Sequence, residues 1–150
     1  MKLIYKDNNI SLDFTINDKV TFIAGDSGTG KSYLFDYLKS VTQQIYNINH
    51  NGFGPDVSCN MNLEDLRFFT VGDEDKLLKV LKDSKHYICF IDRGELFINN
   101  KIVNLINECN STIILFSRLV TGVKCRPSSY CKLEATTVND VYCFKNVSLL

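Results

Sequence analysis

Along the first 24 residues, LIYK, ISLDFTI and KVTFIAG form three apolar-rich runs divided by the polar turns DNN and ND, the pattern of three short strands. The period then changes. Leu34, Leu38, Val41 and Ile45 are spaced by four, three and four residues, which predicts a helix over 31–47 with one apolar stripe. The Asn- and Gly-rich stretch from Asn47 to Met61 reads as a loop, and LRFFTV at 66–71 as a strand. Asp73, Glu74 and Asp75 suit a helix N-terminus, with Leu77, Leu78 and Leu81 as the buried side of a short helix. HYICFID is nearly continuously apolar, as in a strand buried on both faces, and Leu96, Ile102, Leu105 and Ile106 mark a helix near 95–109. STIILFS at 111–117 predicts another strand. After Arg118, LVTGVKCRPSS is loop-like, and YCKLEA and VYCFKNV read as a closing antiparallel hairpin around TTVND. Strands alternating with helices predict an α/β chain: a mostly parallel sheet with flanking helices, N-terminal antiparallel strands and a C-terminal hairpin.

A length of 150 residues with 45% hydrophobic content supports a single domain over 1–150, whose core needs no disulfides. The 17 basic and 17 acidic residues cancel, which removes the global positive field expected of a nucleic-acid or anionic-membrane binder. Six cysteines, at 59, 89, 109, 125, 131 and 143, form no CxxC pair, which argues against zinc and for a reducing compartment. Cys89 and Cys143 lie in apolar runs and read as small buried hydrophobes. The N-terminal residues lack a signal-like apolar core, and no apolar run approaches the ~20 residues of a membrane span, so the expected location is cytoplasmic.

The candidate chemistry centres on Gly25-Asp26-Ser27-Gly28-Thr29-Gly30-Lys31-Ser32, a full match to GxxxxGK[ST], between a predicted strand and a predicted helix. Glycines let the backbone wrap a polyphosphate so that successive N–H groups point inward, and the helix N-terminus adds positive partial charge. Lys31 is placed to reach the β- and γ-phosphates, the Ser32 hydroxyl to hold Mg²⁺, and Gly25 through Tyr33 together to form the nucleotide site. Asp92 ends five consecutive nonpolar residues, 61 positions after Lys31, and is suited to hold Mg²⁺ through water.

GDSGTGKS and YICFID resemble the Walker A and Walker B motifs of P-loop NTPases, framing residues 18–118. The N-terminal strands running into GDSGTGKSYL are similar to the entry of ABC-type and RecF-like ATPase domains, and the chain resembles small stand-alone bacterial ATP-binding proteins of that division. The resemblance implies a P-loop NTPase fold in which the strand after Walker B lies between the P-loop and Walker B strands. That strand would deliver Ser117 and Arg118 to the γ-phosphate, Arg118 as sensor or charge stabiliser.

The chain also departs from that pattern. Arg93 occupies the position of the catalytic Glu that follows the Walker B Asp, and Glu95, three residues beyond Asp92, becomes a general base only if the chain turns back toward the phosphate. There is no LSGGQ-type signature, Ser117-Arg118 replaces the switch histidine, and the span from Ser32 to Asp92 is too short for the helical subdomain. NKxD is absent, so ATP is favoured over GTP.

The expectation is an Mg-ATP-binding protein, a slow ATPase or ATP-dependent switch whose site a protein partner completes, with Lys31, Ser32, Asp92, Glu95 and Arg118 as working residues. One alternative is a small P-loop kinase, with Arg118, Lys124, Arg126 and Lys132 as a basic lid. The other is a non-hydrolysing adaptor stabilised by nucleotide.

Overall fold

The computed structural model describes residues 1–24, 30–48 and 56–149, the side chains of 45–48 excepted. Strands β1 (Lys2–Lys6), β2 (Ile10–Thr15) and β3 (Val20–Ala24) precede helix α1 (Lys31–Ile48). Then follow β4 (Ser58–Cys59), β5 (Leu66–Phe69), α2 (Glu74–Lys82), β6 (Ile88–Asp92), α3 (Asn100–Glu108), β7 (Thr112–Phe116), β8 (Tyr130–Val138) and β9 (Val141–Ser148). All nine strands join one sheet in the order β4-β1-β2-β9-β8-β3-β7-β6-β5. Strands β8, β3, β7, β6 and β5 run parallel, whereas β1 is antiparallel to β2 and β4, and β8 to β9.

This sheet must curl. Its outer strands β4 and β5 are joined through Cys59–Leu66, a span of seven residues that reaches at most about 25 Å. Eight flat inter-strand steps would separate those edges by roughly 38 Å. The core shows the same closure: the rings of Phe14 on β2 and Phe116 on β7 lie 6.1 Å apart edge to face, although three strands separate their parents. The expected mostly parallel sheet with flanking helices is thereby corrected to a nine-stranded mixed sheet curled into a half-barrel, with three α-helices among the described residues and strands predominating.

The physical reason lies in the hairpin. Strand–helix alternation holds between Val20 and Phe116, but β8 and β9 insert in mid-sheet, β8 beside β3 and β9 parallel to β2. They tie the N-terminal strands into the same sheet. Asn139 and Asp140 turn the hairpin with φ of 52° and 65°, the two left-handed residues that a tight hairpin turn requires.

Helix α1 lies in the concave face. Leu34, Phe35 and Leu38 pack there against Leu3, Leu12, Phe14, Phe90, Phe116, Leu133 and Phe144 in one cluster. The other face of β3, β6 and β7 carries Phe22, Cys89, Ile91, Ile113 and Leu115, which α2 and α3 cover through Leu77, Leu81, Ile102 and Ile106. Because side chains alternate along a strand, adjacent residues such as Phe90 and Ile91 serve opposite cores.

Some local expectations shift. α3 starts at Asn100 because Gly94–Leu96 forms a 3₁₀ turn and the Asn99 side chain accepts from Ile102 N at 3.0 Å, capping the helix there. Cys89 is buried as expected, but Cys143 is half-buried, on the face of β9 opposite Phe144. No helix among the described residues is long and apolar enough to cross a membrane.

Candidate functional site

The site stands where β3, β6 and β7 end. β7 lies between β3 and β6, the position the resemblance implies. Gly25, Asp26, Ser27, Gly28 and Thr29 lie outside the described residues. Gly30, at φ 93°, brings the chain into α1, and its carbonyl accepts the Leu34 N–H at 2.9 Å. Lys31, Ser32 and Tyr33 form the first turn of α1.

Ser32 meets Asp92 here. The Ser32 hydroxyl donates to Oδ2 of Asp92 at 3.3 Å, joining residues 60 positions apart. Asp92 is only 5% exposed, at the end of a strand whose five residues are all buried. Burial pushes its carboxyl above the ordinary carboxylate range; Arg93, the Ser32 hydroxyl and Lys31 pull it back, while Asp36 adds to the rise. An ionised carboxylate in this setting gains from an added cation.

Whether Mg²⁺ fits can be judged from these donors. A serine hydroxyl beside a carboxylate offers the hard oxygen ligands that Mg²⁺ takes. The described residues contain no group of three or more His, Cys, Asp or Glu side chains able to form a cage by themselves. The pair therefore suits a cation that draws its remaining ligands from phosphate and water.

Arg93 follows Asp92 in the left-handed region, with φ 55° and ψ 42°, and its Nε lies 3.9 Å from Asp92 Oδ2. The Arg93 backbone N–H donates to the Phe116 carbonyl at 3.0 Å, tying the turn after β6 to the end of β7. Gly94 is closely approached: a Cβ would sit 2.8 Å from Ile98 Cδ1 and 2.9 Å from Leu115 Cδ2, so these side-chain ends would have to shift. Glu95 is exposed in this turn, and Arg118 is exposed just after β7. Ser117 is buried and donates its hydroxyl to the Arg118 carbonyl at 2.7 Å.

The basic lid is not assembled. The backbone N–H of Arg126 donates to Asp18 Oδ2 and that of Lys124 to Asn107 Oδ1, both at 2.8 Å, and these residues line a pocket with Lys19 at the start of β3. That is the opposite end of β3 from the glycine loop. Lys132 pairs with Ala24 and points outward, so the structure does not gather Arg118, Lys124, Arg126 and Lys132 around one ligand.

Sequence reasoning missed the contribution of β9. A Cβ on Gly30 would stand 3.3 Å from Phe144 Cε1, and the Tyr33 ring lies 6.4 Å from that of Phe144 and 6.0 Å from that of Tyr142. The alternation in VYCF marks a strand with Tyr142 and Phe144 on different faces from Cys143, but not its neighbours.

Comparison with family models, with curated proteins and with solved structures finds no match for this chain.

Proposed function

We propose that this protein binds Mg-ATP at residues 25–33 and Asp92 and acts as a slow ATPase or ATP-dependent switch that a protein partner completes. The observation that carries the reading is the Ser32–Asp92 hydrogen bond, which joins the two halves of the sequence motif at the start of α1 and the end of β6. In this reading the loop amides and Lys31 hold the phosphates, and Ser32 and Asp92 hold Mg²⁺, which neutralises charge on the phosphate oxygens. Tyr33 follows Lys31 and Ser32 in the first turn of α1. Arg93 takes the place of a glutamate next to Asp92, and Glu95 in the same turn is exposed, which favours slow turnover. Arg118, one residue past buried Ser117, supplies a positive charge at the same end of the sheet. The six cysteines are free thiols, consistent with the cytoplasm.

Isothermal titration of Mg-ATP into the protein and into Lys31→Ala tests the proposal. Saturable binding that the substitution weakens at least tenfold supports it, and equal titrations overturn it. The kinase alternative has lost the basic lid that favoured it.

A further inference from the structure

Strand β8 runs on past the end of β3, where the glycine loop begins, and stays in the sheet through β9, which pairs with β2 there. Ala24, the last residue of β3, pairs with Lys132, and β8 continues for six residues, about 20 Å, to Val138. Its partner β9 returns with Phe144 opposite Ala135 and Tyr142 opposite Thr137. The face bearing Phe144 and Tyr142 turns toward the first helical turn of α1.

Two aromatic side chains there remain half-exposed. Tyr33 is 49% and Tyr142 50% exposed, whereas Phe144, two residues along β9 from Tyr142 on the same face, is buried. The Tyr33 and Tyr142 rings meet edge to face at 62° with centroids 6.0 Å apart. They already meet each other, so a further ring stacks on their solvent-facing parts and not between them. The pair is also held in place. Tyr33 packs on Tyr37 at 6.1 Å, and the Tyr37 hydroxyl donates to Asp7 Oδ2 at 2.6 Å. Tyr33 is the residue after Ser32, so the platform adjoins the proposed phosphate site directly.

We propose that Tyr33 and Tyr142 form the platform on which the base of a bound nucleoside triphosphate stacks, with purines favoured for their larger ring face. This rests on the reading that residues 25–32 hold the phosphates. Stacking on a preformed, anchored pair adds affinity without ordering a loop. Loss of one stacking partner weakens binding by about 5- to 150-fold.

The test compares Mg-ATP, Mg-CTP and Mg-tripolyphosphate, which has the phosphates but no base, by titration calorimetry on wild type, Tyr142→Ala and Tyr142→Phe. Thermal melts confirm that the variants fold. The proposal expects ATP to bind wild type more tightly than CTP, and Tyr142→Ala to weaken ATP about 5- to 150-fold. Tripolyphosphate affinity stays unchanged and Tyr142→Phe retains tight ATP binding. If Tyr142→Ala leaves ATP unchanged, or weakens tripolyphosphate equally, the platform is wrong. If wild type binds ATP and tripolyphosphate alike, the phosphate site stands and the platform falls. If wild type binds neither, both fall.

Discussion

Phe14 and Phe116 offer a direct energetic test of the curled sheet. In the strand order, β2 and β7 are four steps apart, which on a flat sheet places them roughly 19 Å from each other. Their rings instead lie 6.1 Å apart at 61°, and Phe116 also stacks on Phe90 and meets Phe35. Replacing either buried phenylalanine with alanine costs about 3–5 kcal/mol. Both losses together approach the whole 5–15 kcal/mol that holds a typical domain folded, so Phe14→Leu and Phe116→Leu are the better pair. A direct aromatic contact contributes about 0.5–1.5 kcal/mol beyond buried area, and this is the coupling energy expected from the double-mutant cycle. Equilibrium urea unfolding of the four proteins measures it. Leu77→Ala, in the opposite core, gives a control cycle with Phe14→Leu that should be additive. Additivity of the two phenylalanine variants within about 0.3 kcal/mol would refute the curled core, because side chains on distant strands of a flat sheet do not couple.

Three further outcomes follow from the site and its surroundings. Because burial raises the Asp92 carboxyl, its contribution to stability is present below the unfolded value near 3.9 and is lost as pH rises through the folded value; Asp92→Asn should flatten that limb and remove any Mg²⁺-dependent rise in Tm, and an unchanged pH profile in thermal melts would contradict it. Asp7 behaves oppositely: burial pushes its carboxyl up, but hydrogen bonds from Tyr37, Ile10 N, Asn9 N and Tyr5 outweigh that and hold it low. Its stabilisation is present above about pH 4 and lost as pH falls through the lower folded value, so Asp7→Asn should cost about 1 kcal/mol at pH 7 and little at pH 2 by urea unfolding. Gly94→Ala should cost about 1 kcal/mol by the same assay, since its Cβ forces the ends of Ile98 and buried Leu115 to shift; no loss would mean that these side chains move aside without strain.

How far the sequence reveals this molecule depends on the range of each interaction. Local signals hold well: the spacing of Leu34 and Leu38 marks the inward side of α1, the apolar run ending in Asp92 marks a buried strand, and the turn at Asn139-Asp140 sets the hairpin. Phe35 was missed as a core residue because it falls beside the stripe of four-and-three spacing, yet the enclosing sheet buries it too. Strand neighbours are not local. Nothing in YCKLEATTV specifies that it pairs with β3, so the half-barrel and the approach of Tyr142 to Tyr33 stayed hidden. The pairing of Ser32 with Asp92 was legible only because spacing and chemistry together pointed to a shared ligand. The scattering of Lys124 and Arg126 away from that pair could not be read from a list of charges.

Phosphorus-31 NMR of Mg-ATP over several hours, with wild-type protein and Lys31→Ala side by side, tests the central claim most directly. The account predicts that wild type broadens or shifts the three phosphate resonances and slowly produces ADP and phosphate, or does so once its partner is present, while Lys31→Ala leaves the spectrum of free Mg-ATP. Phosphate resonances unaltered by excess wild-type protein would contradict it.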